Sequence, residues 1–409
     1  MTPDGDMAQD AVQPGPLAGV RVLCFTQFLL GPAAAQYLAD MGADVIKVER
    51  PEGAWERGWA GGDAFVNDVS VFFLLGHRNV RSVAVDLKDP RGVEVCRRLA
   101  EDVDVVIGNF RSGVLDRLGL GYEDLRARNP RLIYATASGY GDDSPYRDLP
   151  GQDLLIQAMS GFMAVTGPTT SLPTPGGAAI VDQHSGALLA MGVLGALVEQ
   201  RVTGRGRRIE VNMLQGALDL QLEPATYWRN GGSVSRPDEP LGSGFHPSPY
   251  GVYAVRDGHV AISLSAIPAV RAALGGDERL APLEDIAPAD ALARRDDVYR
   301  AVAACVADRG RDELVDALRA GDVWCAPVLG YDEVFEDPAV AHVDPFHTID
   351  HPAAGPIHLL RHPIRYDGEA TPVRMLPPGV GQHTREVLQD VVGADMFAEL
   401  VKDGVILDG

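Results

Sequence analysis

Asp182 stands where the apolar run Ala178-Ala179-Ile180-Val181 meets Gln183-His184-Ser185-Gly186 and then a strongly apolar stretch, Ala187 to Leu194. The stretch reads as a helix and Asp182 as its N-cap, a role worth about 1 kcal/mol. The same position admits chemistry. A helix N-terminus stabilises negative charge, so a half-buried carboxylate there stays ionised at neutral pH. An ionised, desolvated carboxylate can attack an acyl group and form a covalent anhydride. His184, two residues on, is placed either to orient a substrate or simply to face solvent. Other clusters carry less. His351, His358 and His362 lie near Asp350, but no cysteine joins them and their spacing fits no metal pattern, so no metal is expected. Cys24, Cys96, Cys305 and Cys325 lie far apart, without zinc spacing or the density of a disulfide scaffold, which points to a reducing cytoplasm. Trp55 and Trp59 flank Arg57 in a loop suited equally to a lid, an interface or a ligand contact.

The elements that must position these groups follow a βαβ rhythm. Strands are predicted at Val20 to Phe25, Asp44 to Val48, Ser82 to Leu87, Val103 to Ile107 and Leu132 to Thr136. Gly31-Pro32 opens one helix, and Asp89-Pro90 supplies a cap and a first-position proline for another. Open parallel sheets bind ligands outside the carboxyl ends of their strands. Those ends are Gln27-Phe28-Leu29-Leu30, Glu49-Arg50, Lys88, Asn109-Phe110-Arg111 and Ser138-Gly139-Tyr140. From His77 to Arg117 eight basic residues meet seven acidic ones, a nearly neutral stretch that suits a phosphate-bearing ligand or a set of solvated helix faces. Glu49 sits where a ribose-binding acid would, but the first turn lacks G-x-G-x-x-G, which argues against a dinucleotide dehydrogenase.

The chain has 409 residues, enough for two domains, and a formal net charge of −21. That balance excludes partners such as nucleic acids or anionic membranes, which require a basic footprint. Residues 1–15 read as a disordered tail without the h-region of a signal peptide. The most apolar stretch, Gly186 to Val198, falls short of the ~20 residues of a membrane span. Residues 16–224 read as a large α/β domain, 225–249 as a Gly/Ser/Pro-rich linker and 250–330 as a small α+β domain. That small domain opens with a hairpin turning at Asp257-Gly258. From Pro345 the chain is Pro/His-rich until a final helix at Thr384 to Val392.

Several blocks at consistent spacing resemble the class III coenzyme A transferases, a superfamily that includes formyl-CoA and carnitine-CoA transferases and α-methylacyl-CoA racemases. They are PLAGVRVLCFTQFLLGPAAAQYLADMGADVIKVERPEG, RSVAVDLKDPRG, VIGNFRSGVLDRLGLGYEDL, RLIYATASGYG, PGQDLLIQAMSGFMAVTG and GAAIVDQHSGALLAMGVLGAL. The likeness runs from about Pro16 to PPGVGQHTREVL and is dense to about Met213. It implies a Rossmann-like large domain with a mainly parallel sheet, to which residues 331–409 return, a smaller α+β domain and an interlocked homodimer. It also implies CoA and acyl-CoA as substrates with no tightly bound cofactor. Asp182-Gln-His-Ser-Gly186 matches the family's G-D-x-x-x-G element with Val181 in place of the usual Gly, which implies Asp182 as the catalytic nucleophile. By the same resemblance Phe28, Leu29 and Leu30 line the CoA groove, and Arg50, Lys88 and Arg117 meet phosphates. Val85, Asp86 and Leu87 bracket the adenine end, Asn109, Phe110 and Arg111 lie alongside, and Pro150, Gly151, Gln152 and Asp153 approach the pantetheine. Two departures narrow the reading. Racemases carry a His where Gln152 stands, and glutamine does no acid-base work; Gly242-Ser243-Gly244 is at best a reduced form of the four-glycine flap of formyl-CoA transferases. The alternatives are an α-methylacyl-CoA racemase and a CoA-binding protein without turnover.

Overall fold

The computed structural model describes residues 15–409 and divides into two compact units. The first comprises residues up to Gly151, Asp182–Gly216 and Pro345–Gly409. The second comprises Gln152–Val181 and Ala217–Asp344.

The first unit is built on strands β1 (Arg21–Phe25), β2 (Asp44–Glu49), β3 (Val80–Val85), β4 (Val105–Gly108), β5 (Ile133–Ser138), β6 (Arg208–Asn212) and β7 (Ile406–Leu407). They lie in the order β7-β3-β2-β1-β4-β5-β6. All pairs are parallel except β7 on β3. The six parallel strands thus reproduce the doubly wound order 3-2-1-4-5-6, whose reversal point lies between β1 and β4. Their sequences suit burial on both faces: Val22 and Cys24 of β1 point one way and Leu23 and Phe25 the other, and all four are buried. Leu23, Phe25, Ile46, Val83 and Val85 share a core with Val95, Cys96 and Leu99 of helix α2 (Pro90–Glu101). Val387 and Leu388 of one C-terminal helix (Thr384–Val392) and Phe397 and Leu400 of the next (Ala394–Lys402) complete it.

Helix α1 (Leu30–Asp40) links β1 to β2, and α2 links β3 to β4. Asp89 caps α2 as its sequence predicts, its side chain accepting from Arg91 N. The second C-terminal helix and β7 escape the sequence reading, because β7 has only two residues and no period to detect. One helix, Ile180–Thr203, is 24 residues long, well beyond the expected apolar stretch, and is apolar enough by length and composition to cross a membrane. Polar groups at both its ends interrupt the apolar run without interrupting the helix.

The second unit holds a three-stranded antiparallel sheet in the order 325–327, 258–262, 251–255. Tyr253, Val260 and Ile262 pack with Val302, Val306, Leu314 and Leu318 of two helices. The hairpin forms, but its turn residues are Arg256-Asp257, one earlier than expected, since Val255 pairs with Gly258. Residues 152–181, read from sequence as part of the large domain, group here instead. The reason is a set of hydrogen bonds: Arg236 reaches Gly167 O (3.1 Å) and Ser171 O (2.6 Å), Thr169 N donates to Pro237 O (2.8 Å) and Gln221 donates to Ser160 O (3.2 Å). The expected linker, 225–249, begins inside a helix, Leu222–Arg229, and the return to the first unit begins at Pro345. The expected tail, residues 1–15, lies outside the described residues except for Gly15.

Candidate active site

At the carboxyl ends of β1, β2 and β3 lies a cleft of about 240 Å³ lined by Thr26, Gln27, Val48, Glu49, Arg50, Ala54, Trp55, Glu56, Val85, Asp86, Leu87, Lys88 and Phe110. It joins apolar walls to two cations at its rim. Six of the residues expected to contact a ligand meet here: Arg50, Val85, Asp86, Leu87, Lys88 and Phe110. Arg50 and Lys88 are exposed, and among the described residues neither has a carboxylate partner; the same holds for Arg111 and Arg117. The neutral stretch from His77 to Arg117 therefore resolves into two groups. Arg78 is buried against Asp40, Arg81 pairs with Asp44, Arg91 with Asp89 and Asp403, and Arg97 and Arg98 with Glu94. Lys88, Arg111 and Arg117 keep their charge available.

Asn109, expected beside the ligand, has another task. Its side-chain Oδ1 accepts from Gln27 N (2.9 Å) and its Nδ2 donates to Gln27 O (2.8 Å), tying the end of β4 to the end of β1 at the reversal point. A Cβ on Gly31 would lie 2.7 Å from Asn109 Cγ, so that glycine is needed for the clamp. Next to the clamped Gln27, Phe28 is held at φ 60, a costly backbone for a bulky residue. Its half-exposed ring rests 4.8 Å from that of Trp55, which stacks on Trp59 at 5.4 Å. Leu29 is the N-cap residue of α1, and Leu30 begins the helix and is buried. Arg111 lies beside a smaller cleft with Ser138, Asp142 and Arg208, and Arg117 folds back over Gly113.

The loop after β2 is anchored by two ion pairs that sequence reasoning missed. Glu49, the suspected ribose acid, is occupied: Arg57 Nε and Nη2 donate to it at 2.7 Å, and Ala54 N and Ser82 Oγ also bond to it. Burial pushes its carboxyl up, but Arg57, Ser82 and Lys47 outweigh that and hold it below the usual range. Beneath it the fully buried Lys47 donates to Glu56 Oε1 and Thr26 O, both at 2.8 Å. His77 Nδ1 bonds Phe73 O at 2.7 Å, and burial together with the Lys47 charge holds its pKa well below the ordinary histidine value. Burial likewise pushes the Cys24 thiol up to about 12, consistent with a core residue. No spacing rule could have revealed Glu56, which pairs across nine residues through a turn.

Asp182 lies in the first turn of the 24-residue helix, here α4 (Ile180–Thr203), and is partly buried. It is the third helical residue and not the cap. Asp153 supplies the terminal acceptor instead: its Oδ2 takes the Val181 N–H at 2.8 Å. Asp153 Oδ1 also accepts from Gln157 Nε2, whose Oε1 in turn accepts from Gly176 N at 2.8 Å. The buried Asp153, expected to approach the pantetheine, is thus a scaffold for α4. Gln152 is the exposed residue before the helix Asp153–Met159. Gly151 and Gly139 sit backbone to backbone, a Cβ on Gly151 falling 2.3 Å from Gly139 Cα, which pins the exposed Pro150-Gly151 turn at the end of β5. The four-residue spacing puts Asp182 and Gly186 one turn apart on one helix face. A Cβ on Gly186 would lie 2.9 Å from Leu30 O, so α4 crosses the start of α1 closely one turn after Asp182. The three C-terminal histidines bond to neighbouring groups, His351 to Pro377 O, His358 to Thr348 and His362 to Ile364 O.

The arrangement offers a carboxylate at a helix start and an apolar cleft rimmed by free cations, in one unit. The profile of CoA-transferase family III matches residues 17–384. The succinyl-CoA:glutarate CoA-transferase of Mus musculus is 32% identical over 96% of this chain and 90% of its own length. The formyl-CoA:oxalate CoA-transferase of Rhodopseudomonas palustris is 31% identical over 92% of this chain and 93% of its own. A crystal structure of a CAIB/BAIF family protein from Brucella suis superposes with a TM-score of 0.79 at 31% identity, covering 93% of this chain and 100% of that one.

Proposed function

The chain belongs to CoA-transferase family III, and from that premise we propose that it moves coenzyme A from an acyl-CoA donor to a free carboxylic acid with Asp182 as the covalent nucleophile. The observation that carries this is the position of Asp182, partly buried in the first turn of α4, where a helix N-terminus favours an ionised carboxylate.

An Asp182 oxygen attacks the thioester carbonyl; a C–O bond forms, the C–S bond breaks, and CoA leaves as thiolate, giving an aspartyl-acyl anhydride. The thiolate then attacks the aspartyl carbonyl, releasing the donor acid and leaving an aspartyl-CoA thioester. The acceptor carboxylate attacks that thioester and expels the thiolate, which finally attacks the acceptor carbonyl and restores Asp182. No proton moves, so the site needs no acid-base partner. What it needs is exclusion of water, because each intermediate is hydrolysable. The helix start stabilises the carboxylate that must be regenerated in each cycle.

In this reading the cleft holds the adenine end of CoA between Val85, Leu87 and Phe110, with Arg50 and Lys88 on the phosphates as charge-assisted partners. Met191, Val198 and Val202 of α4 are 62%, 67% and 84% exposed, an apolar face that supports a homodimer, interlocked as the family resemblance implies. The four free cysteines support a reducing, cytoplasmic location. The test is Asp182→Ala with any productive donor and acid. Transfer should vanish while CoA binding persists, and hydroxylamine added with an acyl-CoA donor should convert Asp182 of the parent protein into a hydroxamate, expelling the acid or CoA; retained transfer in the variant overturns the mechanism.

A further inference from the structure

Ser185 stands one helical turn beyond Asp182 on α4, and its side chain is fully buried. Among the described residues its Oγ has no hydrogen-bond partner. A buried hydroxyl without a partner costs free energy, and a helical serine has a ready remedy, since its hydroxyl can bond the main-chain carbonyl one turn earlier. Ser185 does not take it. On its other side lies Gly216 of the helix Met213–Asp219, where a Cβ would fall 2.5 Å from Ser185 Oγ. Both residues belong to the first unit. The glycine thus leaves room for the hydroxyl and for no further atom. In a helix, residues three and four positions apart are neighbours, about 5–6 Å between Cβ atoms, and each side chain leans toward the turn before its own Cα. The neighbours one turn beyond Asp182 are Ser185 and Gly186. Gly186 has no side chain, so the polar group that leans toward Asp182 from that turn is the Ser185 hydroxyl.

We propose that Ser185 is a catalytic residue whose hydroxyl donates a hydrogen bond to the oxyanion that forms on the Asp182 side-chain carbonyl when the aspartyl carbon is attacked. This rests on the reading of Asp182 as the covalent nucleophile. Two of the four attacks in that cycle fall on Asp182 Cγ: the thiolate on the first anhydride, and the acceptor carboxylate on aspartyl-CoA. In each, a bond forms to Cγ, the carbonyl π pair moves onto its oxygen, and that oxyanion takes the Ser185 O–H. The pair then returns to the carbonyl, expelling the donor carboxylate in the first case and the CoA thiolate in the second. Ser185 keeps its proton throughout. A donor in place before the reaction needs no reorganisation when the charge appears, and in a buried site it is worth more than in water. The other two attacks put their oxyanion on the acyl group of donor or acceptor, and Ser185 does not serve them. The competing use of Ser185 is packing, as a small residue beside a glycine. Alanine would fill that role without burying an unpartnered hydroxyl, so packing alone gives no reason for serine.

The experiment compares the parent protein with Ser185→Ala and with the double variant Ser185→Ala/Gly216→Ala, in which a methyl takes the room that the hydroxyl leaves. Each is mixed with succinyl-CoA or acetyl-CoA without an acceptor acid, quenched, and weighed by intact-protein mass spectrometry for a CoA thioester on Asp182. Ser185→Ala should melt no lower than the parent and bind CoA equally well, because the resting protein loses only an unpartnered donor. It should form the aspartyl-CoA adduct about a hundredfold or more slowly, the loss expected for one oxyanion donor. With an acceptor acid added, kcat should fall likewise while KM is little changed. The double variant should be as slow as the single one. Adduct formation at the parental rate in Ser185→Ala, or recovery of that rate in the double variant, overturns the proposal and leaves Asp182 standing as nucleophile. Transfer retained in Asp182→Ala overturns both.

Discussion

The Asp153 carboxylate accepts the Val181 N–H at 2.8 Å and so terminates the helix whose first turn contains Asp182. The capping duty that the sequence assigns to Asp182 is carried out at the Val181 N–H by a residue 29 positions earlier. Asp153→Ala should cost about 1–2 kcal/mol of stability by loss of the cap. It should also lower the transfer rate while leaving CoA affinity unchanged. Asp153→Asn, which keeps one acceptor oxygen, should recover part of both. Urea unfolding together with steady-state kinetics reads the two effects separately.

The free cations make a second prediction. Replacing Arg50 or Lys88 by Gln should weaken CoA binding and flatten its dependence on ionic strength, since fewer charges face the phosphates. Replacing Arg98 by Gln, whose charge is already met by Glu94, should change neither. Isothermal titration at two salt concentrations distinguishes the groups.

The reversal-point clamp predicts a structural cost with a functional echo. Asn109→Ala removes both bonds to Gln27 and should cost about 1–3 kcal/mol. Release of Gln27 lets Phe28 leave φ 60, so CoA affinity should fall as the Phe28–Trp55 contact loosens. Gly31→Ala, which drives a Cβ to 2.7 Å from Asn109, should give the same pattern. Thermal melts and CoA titrations of both variants provide the check.

Acid sensitivity follows from His77. Its folded pKa lies well below the ordinary 6.5, so below pH 6.5 the unfolded chain takes up a proton that the native histidine refuses. Stability should fall as the pH drops from about 6.5 toward the folded value, and be insensitive to this group above 6.5. His362 and His383, also shifted down mainly by burial, act in the same direction. Glu49, held below 4.5, adds its loss at lower pH. His77→Gln should shallow the decline of the urea midpoint between pH 6.5 and 5 without removing it.

Five of the parallel strands and the helices α1 and α2 are legible in the sequence because each rests on local pattern: β-branched runs, a Gly-Pro opening, an Asp-Pro start. The strand ends also name five of the cleft residues, Gln27, Glu49, Arg50, Lys88 and Phe110. What stays hidden is long-range pairing. Nothing local in Asn109 says that it binds main chain at Gln27, and nothing in Asp153 says that it caps a helix beginning at Ile180. Gly139 and Gly151 read as ordinary turn glycines until their backbones are seen in contact. The free and the paired arginines between His77 and Arg117 are identical by composition, and only the distant acids Asp40, Asp44 and Asp403 separate them.

The edge strand β7 has a consequence for biosynthesis. Ile406 and Leu407 pair with Val85 and Ala84, and Asp86 N donates to Val405 O, so one wall of the ligand cleft is finished by residues some 320 positions downstream. Until the ribosome has delivered that segment, β3 presents an unpaired, apolar edge of the kind that templates aggregation. A nascent chain of this protein must therefore travel nearly its whole length with an open sheet. Cells that make it should rely on chaperones holding that edge, and a stall shortly before residue 405 should yield an insoluble product.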